Sequence, residues 1–148
     1  MKAKLYVSGI ACAIALGSAG GVFAGPAVSV TFKNNSTDAV TYHSAGANGA
    51  STKINASPIP GDRVEAGGVD NFRVQSRISR DANFATLQYE SGSKICRFST
   101  TYMKAMNKGV VLPKWTKNAE GTGGARCHVR ILSVNYATHE WAIEFVMR

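Results

Sequence analysis

The sequence has no CxxC pair, no GxSxG elbow and no DxDxDG loop. These are the spacings by which zinc, an activated serine or calcium is usually recognised. Histidine is scarce, and His43, His128 and His139 are dispersed, the first two in strand-like runs and the last in a turn. His43/Ser44 and His139/Glu140 are neighbours, which on a strand would put the partners on opposite faces. The nine acidic residues are scattered, with no pair marked for glycosidase-type acid/base work. No RNP-like motif or zinc finger is present, and nothing asks for a metal or a cofactor. The chain therefore reads as non-enzymatic, with a small secreted hydrolase kept as the remotest alternative.

Long apolar runs are missing too. Residues 5–16 are apolar apart from Ser8 and Gly9, follow Lys2 and Lys4, and lead into the small-residue stretch GSAGGVFAGP. A transmembrane helix needs about 20 apolar residues, and this run is shorter and broken by glycine. It has the form of a secretory signal over residues 1–24, cleaved after Ala24, which leaves one domain over 25–148. Cys12, with Gly9 three positions upstream, lacks a lipid-attachment context and leaves with the signal. The expectation is a secreted or periplasmic protein with no transmembrane segment after cleavage.

Loss of Lys2 and Lys4 leaves 15 basic against nine acidic residues, a formal charge of +6. Such an excess bears on partners, not on fold. It favours an acidic envelope or membrane component, or an acidic protein; export argues against nucleic acid.

Two cysteines remain, Cys96 in KICRFST and Cys127 in RCHVRILSV. Each stands two places before a core-type residue (Phe98, Val129) and so shares its face. An even pair in an oxidising compartment becomes a disulfide. Closing 31 positions contributes about 3–4 kcal/mol.

The dominant period is two. Val28, Val30 and Phe32 alternate with Ser29, Thr31 and Lys33, and the turn NNST with AVTYHS after it predicts an N-terminal hairpin. Residues 44–69 read as loop, with an edge strand at most, because Pro58, Pro60 and Gly61 oppose helix. A three-strand meander is expected from Phe72 through Ile78, NFATLQYE and KICRFST. In TYMKAMNKG, Met103 and Met106 point to a short helical turn ended by Gly109, with an irregular strand as the other choice. LPKWTKNAEGTGGA reads as a long polar loop. RCHVRILSV and EWAIEFVM close the chain as a hairpin, with Trp141, Ile143, Phe145 and Met147 on one face. The fold class is all-β: an antiparallel β-sandwich, immunoglobulin-like or similar, with one disulfide; an open β-barrel is the alternative.

Two basic groupings are candidate binding residues. Arg73 and Arg77, about 13 Å apart by strand rise, read first as the wet face of an edge strand and otherwise as an anion grip. Lys104, Lys108, Lys114 and Lys117 interleave with Trp115. An exposed Trp flanked by lysines suits a membrane interface, a sugar or a protein hot spot; in the other reading Trp115 folds back over the core. The function expected is an exported binding protein that recognises an envelope component or another protein through basic, Trp-containing loops. A membrane-active protein, lipid-binding or pore-forming, is the alternative.

Overall fold

The computed structural model describes residues 24–148; the expected signal, Ala24 apart, and Cys12 lie outside the described residues. The elements are β1 (Val28–Asn34), β2 (Val40–His43), α1 (Gly46–Asn55), β3 (Ala56–Ser57), β4 (Arg63–Val64), β5 (Val69–Val74), β6 (Ala82–Ser91), β7 (Lys94–Asn107), β8 (Val110–Thr122), β9 (Cys127–Val134) and β10 (Trp141–Met147). They form two sheets, β3-β5-β1-β10-β9 and β4-β2-β6-β7-β8. The sheets stack as a β-sandwich and do not close into a barrel.

Alternation builds the core as expected. Val28, Val30 and Phe32 are buried on β1, and Trp141, Ile143, Phe145 and Met147 on β10. Phe32 stacks on Tyr89 with ring centroids 3.5 Å apart, and Phe98 meets Phe145 at 4.9 Å across the layers. Burying each such side chain stabilises the fold by about 2 kcal/mol. β10 lies between β1 and β9, so its other face is covered as well: Glu144 and Val146 are each 8 % exposed. Cys96 of β7 and Cys127 of β9 are disulfide-bonded, with Cα atoms 5.7 Å apart. The bond joins one sheet to the other. Gly121 on β8 makes room for it, since a Cβ there would stand 3.0 Å from Cys127 Sγ and 2.3 Å from the Ala125 carbonyl oxygen.

Several local expectations are corrected. β1 and β2 do not pair; they belong to different sheets, and β1 runs parallel to β10 with Val28 beside Trp141. The turn between them is organised by the fully buried Asn34, whose Nδ2 donates to the carbonyls of Asp38 (2.8 Å) and Val64 (3.0 Å). That turn carries the chain across the sandwich instead of back along it. The meander starts one strand later than expected and is β6-β7-β8. β5 stops at Val74 because buried Asn83 donates to the Val74 carbonyl (2.9 Å) and accepts from the Ser76 amide (3.1 Å). Ile78 is consequently 95 % exposed instead of facing the core.

A helix, α1, occupies part of the expected loop. It docks on β6 through the buried Thr52, whose Oγ1 accepts from the Thr86 amide at 2.9 Å. Finally, TYMKAMNKG is strand and turn, not helix, and LPKWTKNAEGTGGA lies largely in β8. Lys108 and Gly109 both have positive φ (49° and 83°), as a two-residue hairpin turn of the I′ kind requires. The result is one long β7–β8 hairpin.

Candidate functional site

One end of the sandwich gathers most of the predicted binding residues. Four segments meet there: the distal half of the β7–β8 hairpin, the loop 75–81, the turn 135–140 and the entering chain 24–27. β6 pairs with β7 only as far as Ala82 with Met103, and the Lys104 amide donates to the Asp81 carbonyl at 2.9 Å. The loop 75–81 therefore sits at the root of the hairpin.

The turn 135–140 is held from within by Asn135, whose Oδ1 accepts from the amides of Ala137 (2.9 Å) and Thr138 (3.1 Å). It places His139, at φ 63°, against the hairpin. His139 Nδ1 lies 2.6 Å from the Tyr102 hydroxyl, and its carbonyl accepts from the Trp115 indole at 3.3 Å. Tyr136 meets Trp115 edge-on at 5.4 Å. Trp115 is half-buried and lies on β8, not in a loop, packed against Tyr102 at 5.5 Å. It closes this end of the core and leaves part of its ring to solvent. Burial of the Tyr102 phenol, with Asp81 adding, raises its pKa above the ordinary tyrosine range, while Lys104 acts the other way.

Beside this aromatic group lies a cleft of about 600 Å³ lined by Gln75, Arg80, Asp81, Lys104, His139 and Glu140. Lys104 Nζ is 2.6 Å from Asp81 Oδ1, and that bond raises the lysine pKa. Glu140 is paired with Arg73. Arg73 and Arg77 line a second cleft of about 510 Å³, which shares Ala24 and Gln75 with the first. Gly25 enters between them: its amide donates to the Ser76 carbonyl at 2.9 Å. A Cβ there would stand 2.6 Å from the Ser79 carbonyl oxygen, so the close approach needs glycine.

Six of the seven predicted binding residues thus lie at or beside this end: Arg73, Arg77, Lys104, Lys108, Lys114 and Trp115. Lys117 does not. It stands opposite Thr100 in the body of the sandwich, and its Nζ donates to the Val129 carbonyl at 3.3 Å. The sequence reading left out Tyr136, His139 and the two carboxylates, Asp81 and Glu140, which are already engaged by Lys104 and Arg73. Asn135 was the available signal, as a residue whose side chain builds turns. The other histidines are elsewhere: His43 Nε2 is 3.4 Å from Glu90 on the outer face of its sheet, and His128 is exposed on β9.

Arg73, Arg77, Arg80, Lys104, Lys108 and Lys114 are gathered at this end with Asp81 and Glu140, so the end carries a local excess of positive charge. Among the described residues no group of three His, Cys, Asp or Glu could hold a metal ion, and no helix is long and apolar enough to cross a membrane. No protein-family model, curated protein or solved structure matches the chain.

Proposed function

We propose that this is an exported, non-catalytic binding protein that recognises an anionic envelope component through the basic end of the sandwich. The observation that carries the reading is the convergence of hairpin, loop and turn on one end, which gathers six cations and two carboxylates, Asp81 held by Lys104 and Glu140 by Arg73. The second cleft has Arg73 and Arg77 as the charged residues of its lining; charge of one sign in a cleft concentrates ligands of the opposite sign, and arginine side chains grip phosphates and carboxylates in a two-pronged fashion. The signal-like segment, the disulfide and the basic composition support export. The ring of His139, the one histidine of this end, is hydrogen-bonded to the Tyr102 phenol and stacked on its ring, a structural engagement that supports binding over hydrolysis.

The test is retention on immobilised heparin, used as a generic polyanion, across a salt gradient. Lys108→Glu with Lys114→Glu is expected to elute at clearly lower salt than the unaltered protein. Both side chains are exposed on the hairpin and engage no acidic side chain, so the fold should persist. Equal elution of the two proteins would sink the reading.

A further inference from the structure

We infer that the tip of the β7–β8 hairpin dips into the interfacial layer of an anionic lipid bilayer, an inference that rests on the anion-binding reading and names its partner. Beyond Met103 no third strand pairs with the hairpin. The ribbon runs on for about 15 Å by strand rise. Its large apolar side chains stand in water: Met103 is 47 % exposed, Met106 74 %, Val110 57 %, Val111 54 % and Leu112 47 %. With Ile78 (95 %) and Tyr136 (72 %) at the same end, seven of the eleven large exposed apolar side chains among the described residues are concentrated there. A concentration of that kind marks an interaction site.

The distribution over the ribbon selects the occupant. From the alternation and the cross-strand register, Met103, Ala105, Val110 and Leu112 share the outer face, while Met106, Val111 and Pro113 share the inner one. Both faces are apolar. A groove on a protein would cover one of them; a lipid interface surrounds both. Charge complementarity agrees, because Lys114 stands at the hairpin root on the outer face and Lys104 on the inner, at the level where lipid phosphates would lie. Lys108 at the turn sets the depth. Its ammonium keeps to the headgroup level on a flexible stem, which limits penetration to the roughly 5–10 Å of interfacial binding. The hairpin therefore lodges in one leaflet and does not span it.

Co-sedimentation with phosphatidylcholine–phosphatidylglycerol vesicles and with pure phosphatidylcholine vesicles tests this, using Met106→Gln combined with Leu112→Gln. The pair removes one apolar side chain from each face without changing charge, and equal unfolding midpoints would confirm that the variant folds. The unaltered protein is expected to sediment with the anionic vesicles and not the neutral ones. The variant should bind them about tenfold more weakly while eluting from heparin at the same salt. Three results overturn the inference: equal vesicle binding by both proteins, retention on heparin with no vesicle binding, or equal binding to neutral vesicles. In the second, anion recognition stands and only the lipid assignment falls. Failure to bind either heparin or vesicles removes both.

Discussion

The Tyr102 hydroxyl of β7 lies 2.6 Å from His139 Nδ1, so a buried residue of one sheet fastens the turn that leads into the last strand of the other. Tyr102→Phe keeps the ring in the core and deletes this bond. Leaving a ring nitrogen facing apolar surface without its partner costs about 1 kcal/mol. Urea denaturation should show that loss. Tryptophan emission should shift with it, because the Trp115 indole is tied to the His139 carbonyl. A variant with native stability and native emission would show that the bond positions nothing.

The bond between Cys96 and Cys127 gives a second prediction. Cys96→Ala with Cys127→Ala should lower unfolding free energy by about 3–4 kcal/mol, the loop-closure value for this separation. Thiol titration of the native protein is expected to find no free thiol among residues 24–148. Two reactive thiols, or a double variant as stable as the parent, would contradict the crosslink.

Glu144 gives a pH dependence. It lies on β10 within 2.8 Å of Lys33 Nζ and 2.9 Å of the Arg130 guanidinium. The hydrogen bond from Lys33, assisted by Arg130, holds its carboxyl below the ordinary glutamate value of 4.5 despite burial. A depressed carboxyl contributes stability that is fully present above its unfolded value and is lost as pH falls through the native one. Glu144→Gln should therefore be less stable than the parent at pH 7 by about 1 kcal/mol, and the gap should close below about pH 4. A gap that persists unchanged at pH 3 would assign the effect to packing.

The residues that declared themselves in the sequence did so through side-chain alternation. Val28, Val30 and Phe32, and Trp141 through Met147, announced buried strands, and the turn at Asn135 announced the closing hairpin. Alternation tells which face a residue occupies, not which strand lies beside it. Hence alternation and the NNST turn suggest a β1–β2 hairpin, whereas the fold pairs β1 with β5 and β10. α1 was illegible because GANGASTKIN has no apolar stripe and docks through a threonine hydroxyl. Met103 and Met106, three apart, imitated a helix turn because on a solvent-exposed ribbon nothing forces strict alternation. The candidate site was half visible: its cations could be read directly, but their meeting with the loop 75–81 depends on Asn83 ending β5 early. No local pattern encodes that.

The side-by-side run of β1 and β10 constrains the timing of folding. The first strand described finds its neighbour in residues 141–147, so the sheet β3-β5-β1-β10-β9 cannot be completed until that segment has been made. Contacts of such long sequence separation form late. The other sheet, β4-β2-β6-β7-β8, needs no residue beyond Thr122, so one layer of the sandwich can be hydrogen-bonded while its opposite layer still waits for a partner strand.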